Sequence, residues 1–379
     1  MNATCIQRFS SWFAYNLSNV NFLWRWGDWS HALKQGPLEP KPMFLRETLL
    51  KSIRLYSYSK IIKPIPSNFE VLKLKEPEAL NKFLPSNNPD DFIDDDDETV
   101  QGARSVRNLM MAIRSRTSSI DIQGMVDKIG EEGFVEAEVM KIDIFVTALF
   151  NTARKTMSQS FACIVRYQEI LKNLNNTEYN QICTLNSIMD VWSNHQQRIV
   201  AIIDKMMKNE IIQEKNVASW IFLKHSSEEF TKFYIWEILH SAIRKSVVTI
   251  KRSKKEIADI REKIDKKMEE EGTEMKDELL SHQIEKLEEK IDKIESEQVK
   301  LFQIIFQRFF FVLTNHMQNK GEHYRNYWFF WTLSRLQEIF FEYNDIIFRN
   351  ISAFESLFNS TDLDPNIGTI IKQFYSLRT

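Results

Sequence analysis

Glycine and proline are scarce where they would break structure. The 379 residues hold 9 glycines and 9 prolines, and eight of the prolines precede residue 90, so residues 90–364 contain none. A turn-rich β architecture needs both residue types at its corners and long helices need their absence, so the chain is read as all-α. Cysteine is equally thin. Cys5, Cys163 and Cys183 stand far apart without a CxxC pair, which excludes a structural zinc site of the usual spacing and suits a reducing compartment. Neither charge dominates: 50 Lys and Arg against 52 Asp and Glu leave a net charge of −2, so no global basic field draws the chain to nucleic acid. Long hydrophobic runs are missing too. Residues 299–313 and 327–341 are the greasiest, yet Lys300, Gln303, Arg308, Arg335 and Glu338 interrupt them as the polar stripe of buried amphipathic helices does, so no membrane span is expected. No basic region followed by an apolar core opens the chain. Met1 leads straight into Phe9-Ser-Ser-Trp12-Phe13-Ala-Tyr15, as the interior of a longer protein would.

What is present is core material: 43% of residues are hydrophobic, enough to bury a substantial interior. Three zones are expected. Residues 1–63 carry two stretches of helical apolar spacing, 5–20 and 42–62, around a Trp-rich and Pro-rich connection with Trp24, Trp26 and Trp29; two helices alone cannot bury that much aromatic surface. Residues 64–101 form a Pro-rich linker ending in the acidic run 90–98, whose self-repulsion keeps a solvated spacer extended. That run lacks the glycine turn and fixed spacing of an EF-hand loop, so it is not read as a metal site.

From residue 102 to 379 the pattern is a string of helices. Val139, Ile142, Phe145, Val146, Leu149, Phe150 and Ala153 recur at three- and four-residue spacing, as do Leu185, Ile188, Met189 and Trp192, then Ile199, Ile202, Ile203 and Met206. Short polar connections imply antiparallel pairs, stacked as an α-solenoid of HEAT or armadillo-like hairpins. The most informative segment is the run from Phe230 to Lys245. Ser226 and Glu229 form a capping box in front of it. Beyond Lys245 the apolar positions thin to Ile250, Ile257, Ile260 and Ile264, a breaker follows at Glu271-Gly272-Thr273, and the chain returns through Leu280, Ile284, Leu287, Ile291, Ile294, Leu301 and Ile305 with Gln298 at one core position. That pattern predicts an antiparallel coiled-coil hairpin at about 246–300, roughly 35 to 45 Å long, with its base merged into the core.

Catalytic constellations are not found. Trp236-Glu237-Ile238-Leu239-His240 lacks the first histidine of a zincin helix, so His240 is read as a core or capping residue. Gly124 and Gly130 have the wrong spacing for a phosphate loop. His195, after Trp192 and Asn194, is read as a cationic ring complementing a helix end. No nucleophile with a matched base and no metal or cofactor site is expected.

Several stretches together resemble one family: Trp24-Arg-Trp26-Gly-Asp28-Trp29-Ser30, Pro40-Lys41-Pro42-Met-Phe44-Leu-Arg46-Glu47, Asp190-Val-Trp192-Ser-Asn194-His195, Val217-Ala-Ser-Trp220-Ile221-Phe222, Trp236-Glu237-Ile238-Leu239-His240-Ser241-Ala-Ile243-Arg244-Lys245 and Ile305-Phe306-Gln307-Arg308-Phe309. The chain resembles the C-terminal half of the large subunit of the nuclear cap-binding complex. The resemblance implies a non-catalytic nuclear scaffold of helical-repeat domains, 1–63 closing the second and 102–379 forming the third, with the hairpin as that domain's insertion. It implies that a small RNA-recognition-motif subunit is held and itself binds the 7-methylguanosine cap, that capped RNA is engaged only through that subunit, and that splicing, other RNA-processing and export proteins join during mRNA processing, export and early translation. The first domain, most of the second and the family's basic import signal are not found here. Gly27, Ser193 and Gln196 depart from the family's usual residues. Trp24, Trp26 and Trp29 are either interdomain core or a partner-binding surface. A different class remains open, a free-standing helical adaptor that recruits proteins through the charged hairpin.

Overall fold

The computed structural model describes residues 3–72, 74–84, 100–130, 136–223, 229–271, 278–359 and 363–378, and every regular element among them is helical. An N-terminal lobe comprises α1 (Ala3–Ser18), a 3-10 helix (Trp26–Lys34), α2 (Pro40–Leu55) and the short α3 (Tyr58–Ile62). The body follows as α4 (Ala103–Arg114), α5 (Ser119–Ile129), α6 (Ala137–Thr152), α7 (Met157–Arg166), α8 (Gln168–Leu174), α9 (Glu178–Trp192), α10 (Gln196–Lys208) and α11 (Glu214–Leu223). Two long helices, α12 (Phe233–Glu271) and α13 (Glu278–Lys320), lead to α14 (Tyr327–Glu342), α15 (Asn344–Arg349), α16 (Glu355–Phe358) and α17 (Pro365–Tyr375).

Polar side chains fix many of the starts. Ser118, Thr156, Thr177 and Asn326 each accept a backbone N–H from the third residue onward, at the heads of α5, α7, α9 and α14, satisfying a donor the helix cannot. Asp364 caps α17, whose first position is Pro365, where a missing N–H does no harm. The helices then pack on one another across the chain order, α4 on α6, α6 on α9, α10 on α12 and α11 on α13. Their shared core holds Phe145, Phe150, Trp192, Trp220, Trp236, Phe302 and Phe306 essentially without exposure. Of the positions expected inside in α6, α9 and α10, only Val139 is half-buried.

The lobe docks on the body through a small apolar cluster, Ala3, Ile6 and Met43 against Phe233 and Trp331. Polar contacts pin it: Trp331 Nε1 donates to the Leu38 carbonyl at 2.8 Å, Arg335 Nη1 to Gln7 Oε1 at 2.8 Å, and Arg54 Nη1 reaches both oxygens of Glu237 at 3.0 and 3.1 Å. The described part of the expected linker departs from a solvated spacer. Phe69 and Leu72 sit in the lobe's core, while Ala79, Phe83 and Leu84 sit in that of the body. Leu80 donates to the Val191 carbonyl at 2.7 Å and accepts from Asn151 at 3.1 Å. Apolar side chains at 69, 72, 79, 83 and 84 draw this proline-containing strap onto the helices; the acidic run 90–98 lies outside the described residues.

The outer parts of α12 and α13 pair as the heptads predict. Ile250, Ile257 and Ile291 are buried against Ile284, Leu287 and Ile294, in a cluster separate from the main core. Lys254 bonds Glu295 and Arg261 bonds Glu288, both at 2.8 Å; seven residues out on one helix match seven back on the other, the register of an antiparallel pair. Gln298 is buried and donates to Ser246 Oγ at 2.9 Å, so its polar group is satisfied at the hairpin's base. The helix start differs from expectation. Helix α12 begins at Phe233 after a 3-10 turn (Glu229–Thr231), and Glu229 bonds the Lys232 and Tyr234 side chains; Ser226, and with it the expected capping box, lies outside the described residues, as do Gly272 and Thr273. Because the hairpin's apolar cluster is its own, replacing residues 252–292 with a short Gly-Ser loop is expected to change the body's stability by less than about 1 kcal/mol. Urea unfolding followed by circular dichroism checks this, and a collapse of the midpoint would show that the arm supports the core.

Candidate partner-binding surface

Helix α1 carries two apolar stripes. Ala3, Ile6, Ser10, Phe13, Ala14 and Leu17 face inward, the period of a packed helix. Phe9, Trp12 and Tyr15 form a second stripe that remains 43%, 57% and 64% exposed. After α1 the chain turns through Asn21 and Phe22, both at positive φ. Phe22 is buried and stacks on Tyr56 at 5.7 Å, and the turn leaves Leu23 and Trp24 exposed beside the second stripe.

The three tryptophans singled out from sequence come together but do not share a role. Trp26 is 3% exposed and packs edge-on to Trp29 and Phe69 at 6.3 and 6.1 Å; it is core, not surface. Trp29 is half-buried, stacked on Phe13 at 5.5 Å and near Phe44 at 6.0 Å. Trp24 is 43% exposed, its ring edge-on to Phe13 and Trp29. Phe9 extends the array, stacked on Trp12 at 5.5 Å and on Phe44 at 4.9 Å. Two shallow hollows flank it. One of about 420 Å³ lies between Phe9, Trp29, Pro40 and Phe44, and one of about 560 Å³ between Leu23, Trp24, Arg25 and Trp29. Offset and edge-on rings of this kind make a stiff apolar platform with little rotamer entropy left to lose on contact. Phe9 and Trp12 were not singled out as surface residues from sequence, although their one-residue offset from Ser10 and Phe13 of the inward stripe is the signal that separates them.

The two histidines singled out from sequence, His240 and His195, have structural settings. His240 is buried between α12 and α14: Nδ1 lies 2.8 Å from Tyr343 Oη and 3.4 Å from Glu342, and Nε2 3.9 Å from Glu338. These three side chains converge closely enough to suggest a divalent cation. The ring, however, turns a different nitrogen to each carboxylate, and both carboxylates already hold a guanidinium, Arg335 on Glu338 at 2.6 Å and Arg244 on Glu342 at 2.7 Å. The arrangement suits a charge-paired clamp between two helices better than a metal ligand set. His195 corrects its sequence reading. It stands at the N-cap of α10, where a cation opposes the dipole; burial, and then the charge of Arg198, lower its pKa to about 4. The ring is neutral at physiological pH, edge-on to Trp192 at 5.9 Å.

Comparison with known proteins agrees with this helical architecture. The family described as MIF4G like matches residues 93–349, and a second MIF4G-like match covers residues 1–67. Nuclear cap-binding protein subunit 1 of Gallus gallus is 34% identical over 396 residues, spanning 100% of this chain and 49% of its own. The Homo sapiens protein of that name is 33% identical over 395 residues, with the same coverage. That of Aedes aegypti is 32% identical over 415 residues, spanning 100% of this chain and 50% of its own. The chain thus spans about half the length of the curated relatives it matches.

Proposed function

The chain belongs to the MIF4G-like family, and we propose that it serves as a non-catalytic scaffold of a nuclear cap-binding complex. The observation that carries this reading is its similarity, from end to end, to proteins named nuclear cap-binding protein subunit 1. On this reading the chain holds a small RNA-recognition-motif subunit that reads the 7-methylguanosine cap, and capped RNA reaches it through that subunit. Its place is the nucleus, in mRNA processing, splicing and export and in early translation. The helical body supports an indirect mechanism: a surface already rigid when free orders the segments of a partner, so that their ordering cost no longer falls on the cap-binding step. The exposed ladder of Phe9, Trp12 and Trp24 is the proposed partner-facing element, with Trp29 beneath it; aromatic anchors of this kind carry most of the energy of protein interfaces.

Retention on a cap-analogue resin tests the reading. The chain is expected to be retained only together with a small RNA-recognition-motif subunit. Trp12→Lys with Trp24→Lys should lower that co-retention by roughly tenfold or more while leaving the circular dichroism spectrum unchanged, both side chains being exposed. Retention of the chain alone would overturn the scaffold mechanism. Loss of the complex on excising the hairpin alone would favour the adaptor that recruits through that arm.

A further inference from the structure

Where the lobe, the strap and the body meet, a cleft of about 300 Å³ opens between α2, residues 74–77 and the turn from α9 into α10. Four cations line it, Arg46, Arg54, Lys75 and Lys232, and among the described residues no carboxylate does. Two of the four are neutralised from outside the lining, Arg54 by Glu237 and Lys232 by Glu229. Arg46 and Lys75 have no carboxylate partner among the described residues, and the Arg46 Nε is buried without a hydrogen-bond acceptor. A buried guanidinium nitrogen left unmatched is costly, and Arg46 lines the cleft with no carboxylate to offset its charge. A third uncompensated cation stands behind the wall. Arg198 is 7% exposed, held by the Lys155 carbonyl at 3.3 Å and Ser160 Oγ at 3.5 Å and lying 4.5 Å over the Trp192 ring.

The remaining lining adds neutral donors and a short apolar wall. Gln196 and Gln197, the first turn of α10, face the cleft beside Asn194. The N-cap of this 13-residue helix makes no side-chain hydrogen bond; the Arg198 amide already bonds the His195 carbonyl at 2.9 Å, which leaves the amides of Gln196 and Gln197 for an anion. Leu50, Ile53, Leu74 and Pro77 form the apolar part. Among the described residues the only aromatic ring in the lining is His195, too little for a platform on which successive bases could stack, as a single-stranded nucleic-acid site requires. The charge excess is local, in a chain of net charge −2, which again disfavours a polynucleotide track. A compact oxyanion of charge near −2 next to an aliphatic stem fits the whole set.

We propose that this cleft receives a phosphoserine or phosphothreonine of a protein partner, with Arg46 and Lys75 as the phosphate's principal cations, Asn194 and the head of α10 as neutral donors, and the apolar wall against the adjoining side chain. Phosphorylation of the partner would then govern docking at the joint between lobe and body, through the charge-assisted hydrogen bonds that arginine forks make to phosphate.

His195 also supplies the test, since it lines the cleft without holding the phosphate. The full chain, labelled at histidine and assigned with a His195→Gln variant, is titrated by NMR with the peptide acetyl-Leu-phosphoSer-Leu-amide, its unphosphorylated form, inorganic phosphate and a 12-nucleotide single-stranded RNA. The phosphopeptide is expected to move the His195 ring signal at pH 7 and to raise its titration midpoint by about one unit, as a neighbouring anion must. The unphosphorylated peptide should leave both unchanged. Lys75→Gln should weaken phosphopeptide binding by roughly tenfold, the loss of one charge-assisted contact, and Arg46→Gln by at least as much. A His195 signal that saturating phosphopeptide does not move overturns the proposal, as does binding indifferent to both variants. Inorganic phosphate binding as tightly as the phosphopeptide would make this a free-phosphate site. RNA competing more tightly would make it a nucleic-acid contact, and either result removes the protein partner.

Discussion

Trp236→Ala is expected to destabilise the body by about 3–5 kcal/mol, the range for emptying a buried tryptophan site. The side chain is 1% exposed. Its ring is stacked on Phe309 at 5.5 Å with 18° between planes and lies 5.5 Å from Phe230, and Nε1 donates to the Phe230 carbonyl at 2.9 Å. The Arg335 guanidinium covers it from a further side, 5.8 Å from the ring. These neighbours come from the turn before α12 and from α13 and α14, so collapse into the void would require several helices to shift together; a close-packed interior resists that. Trp236→Phe keeps the stacking partner and removes the indole donor, so a smaller loss of about 1–3 kcal/mol is expected. Urea midpoints at constant slope rank the three chains. A loss below about 1 kcal/mol for the alanine chain would mean that the site relaxes, and would remove Trp236 from the centre of the core.

Such core positions were legible in the sequence because burial there is periodic and local. The inward sets of α6, α9 and α10 repeat every three or four residues, and the paired heptads around Gln298 fix the hairpin without reference to the rest of the fold. Other features have no local signature. Trp24 and Trp26 are two residues apart in one motif, and only the arrival of Phe69 from the strap makes Trp26 core while Trp24 stays exposed. His195 reads as a helix end from its surroundings, but its charge state depends on whether it closes α9 or opens α10 and on Arg198 nearby. The strap 74–84 resembles a spacer because Pro77 and the charges of Lys75, Glu76, Glu78 and Lys82 interrupt it; its apolar side chains outweigh them in the fold. Contacts such as Arg335 with Gln7 join residues 328 positions apart, a pairing that no single sequence window contains. The partner-facing ladder was half visible, since aromatic content was plain while its division into inward and outward stripes required the packing of α1 on α2.

Acidification is expected to remove about 3 kcal/mol from the native chain that a Glu338→Gln chain never has. The Glu338 side chain is 13% exposed, with Arg335 Nη1 at 2.6 Å and His240 Nε2 at 3.9 Å. Burial alone would raise its carboxyl, but the His240 ring and the charge and hydrogen bonds of Arg335 outweigh that and lower it from 4.5 to about 2. At about 1.36 kcal/mol per pKa unit, that depression corresponds to the figure above. A depressed carboxyl stabilises the fold while it is ionised, so the contribution is complete above the unfolded value of 4.5 and is lost as pH falls from there through about 2. Glu338→Gln loses it at every pH. At neutral pH the variant also leaves Arg335, 3% exposed, with Gln7 as its remaining hydrogen-bond acceptor, and breaking one side of a buried pair costs about 3–5 kcal/mol. The stability gap between the two chains should therefore be widest near pH 7 and should narrow by about 3 kcal/mol as the pH approaches 2. A gap that stays constant with pH would show that packing, not the ionised pair, is what the substitution disturbs. Arg335→Met with Glu338→Leu separates charge from shape further: replacing both partners by apolar groups of similar volume is expected to recover much of the loss. Because Arg335 also grips Gln7 of α1 and covers Phe233 at 4.8 Å, what that double variant fails to recover measures how firmly the pair holds the N-terminal lobe, and with it the aromatic ladder, against the body.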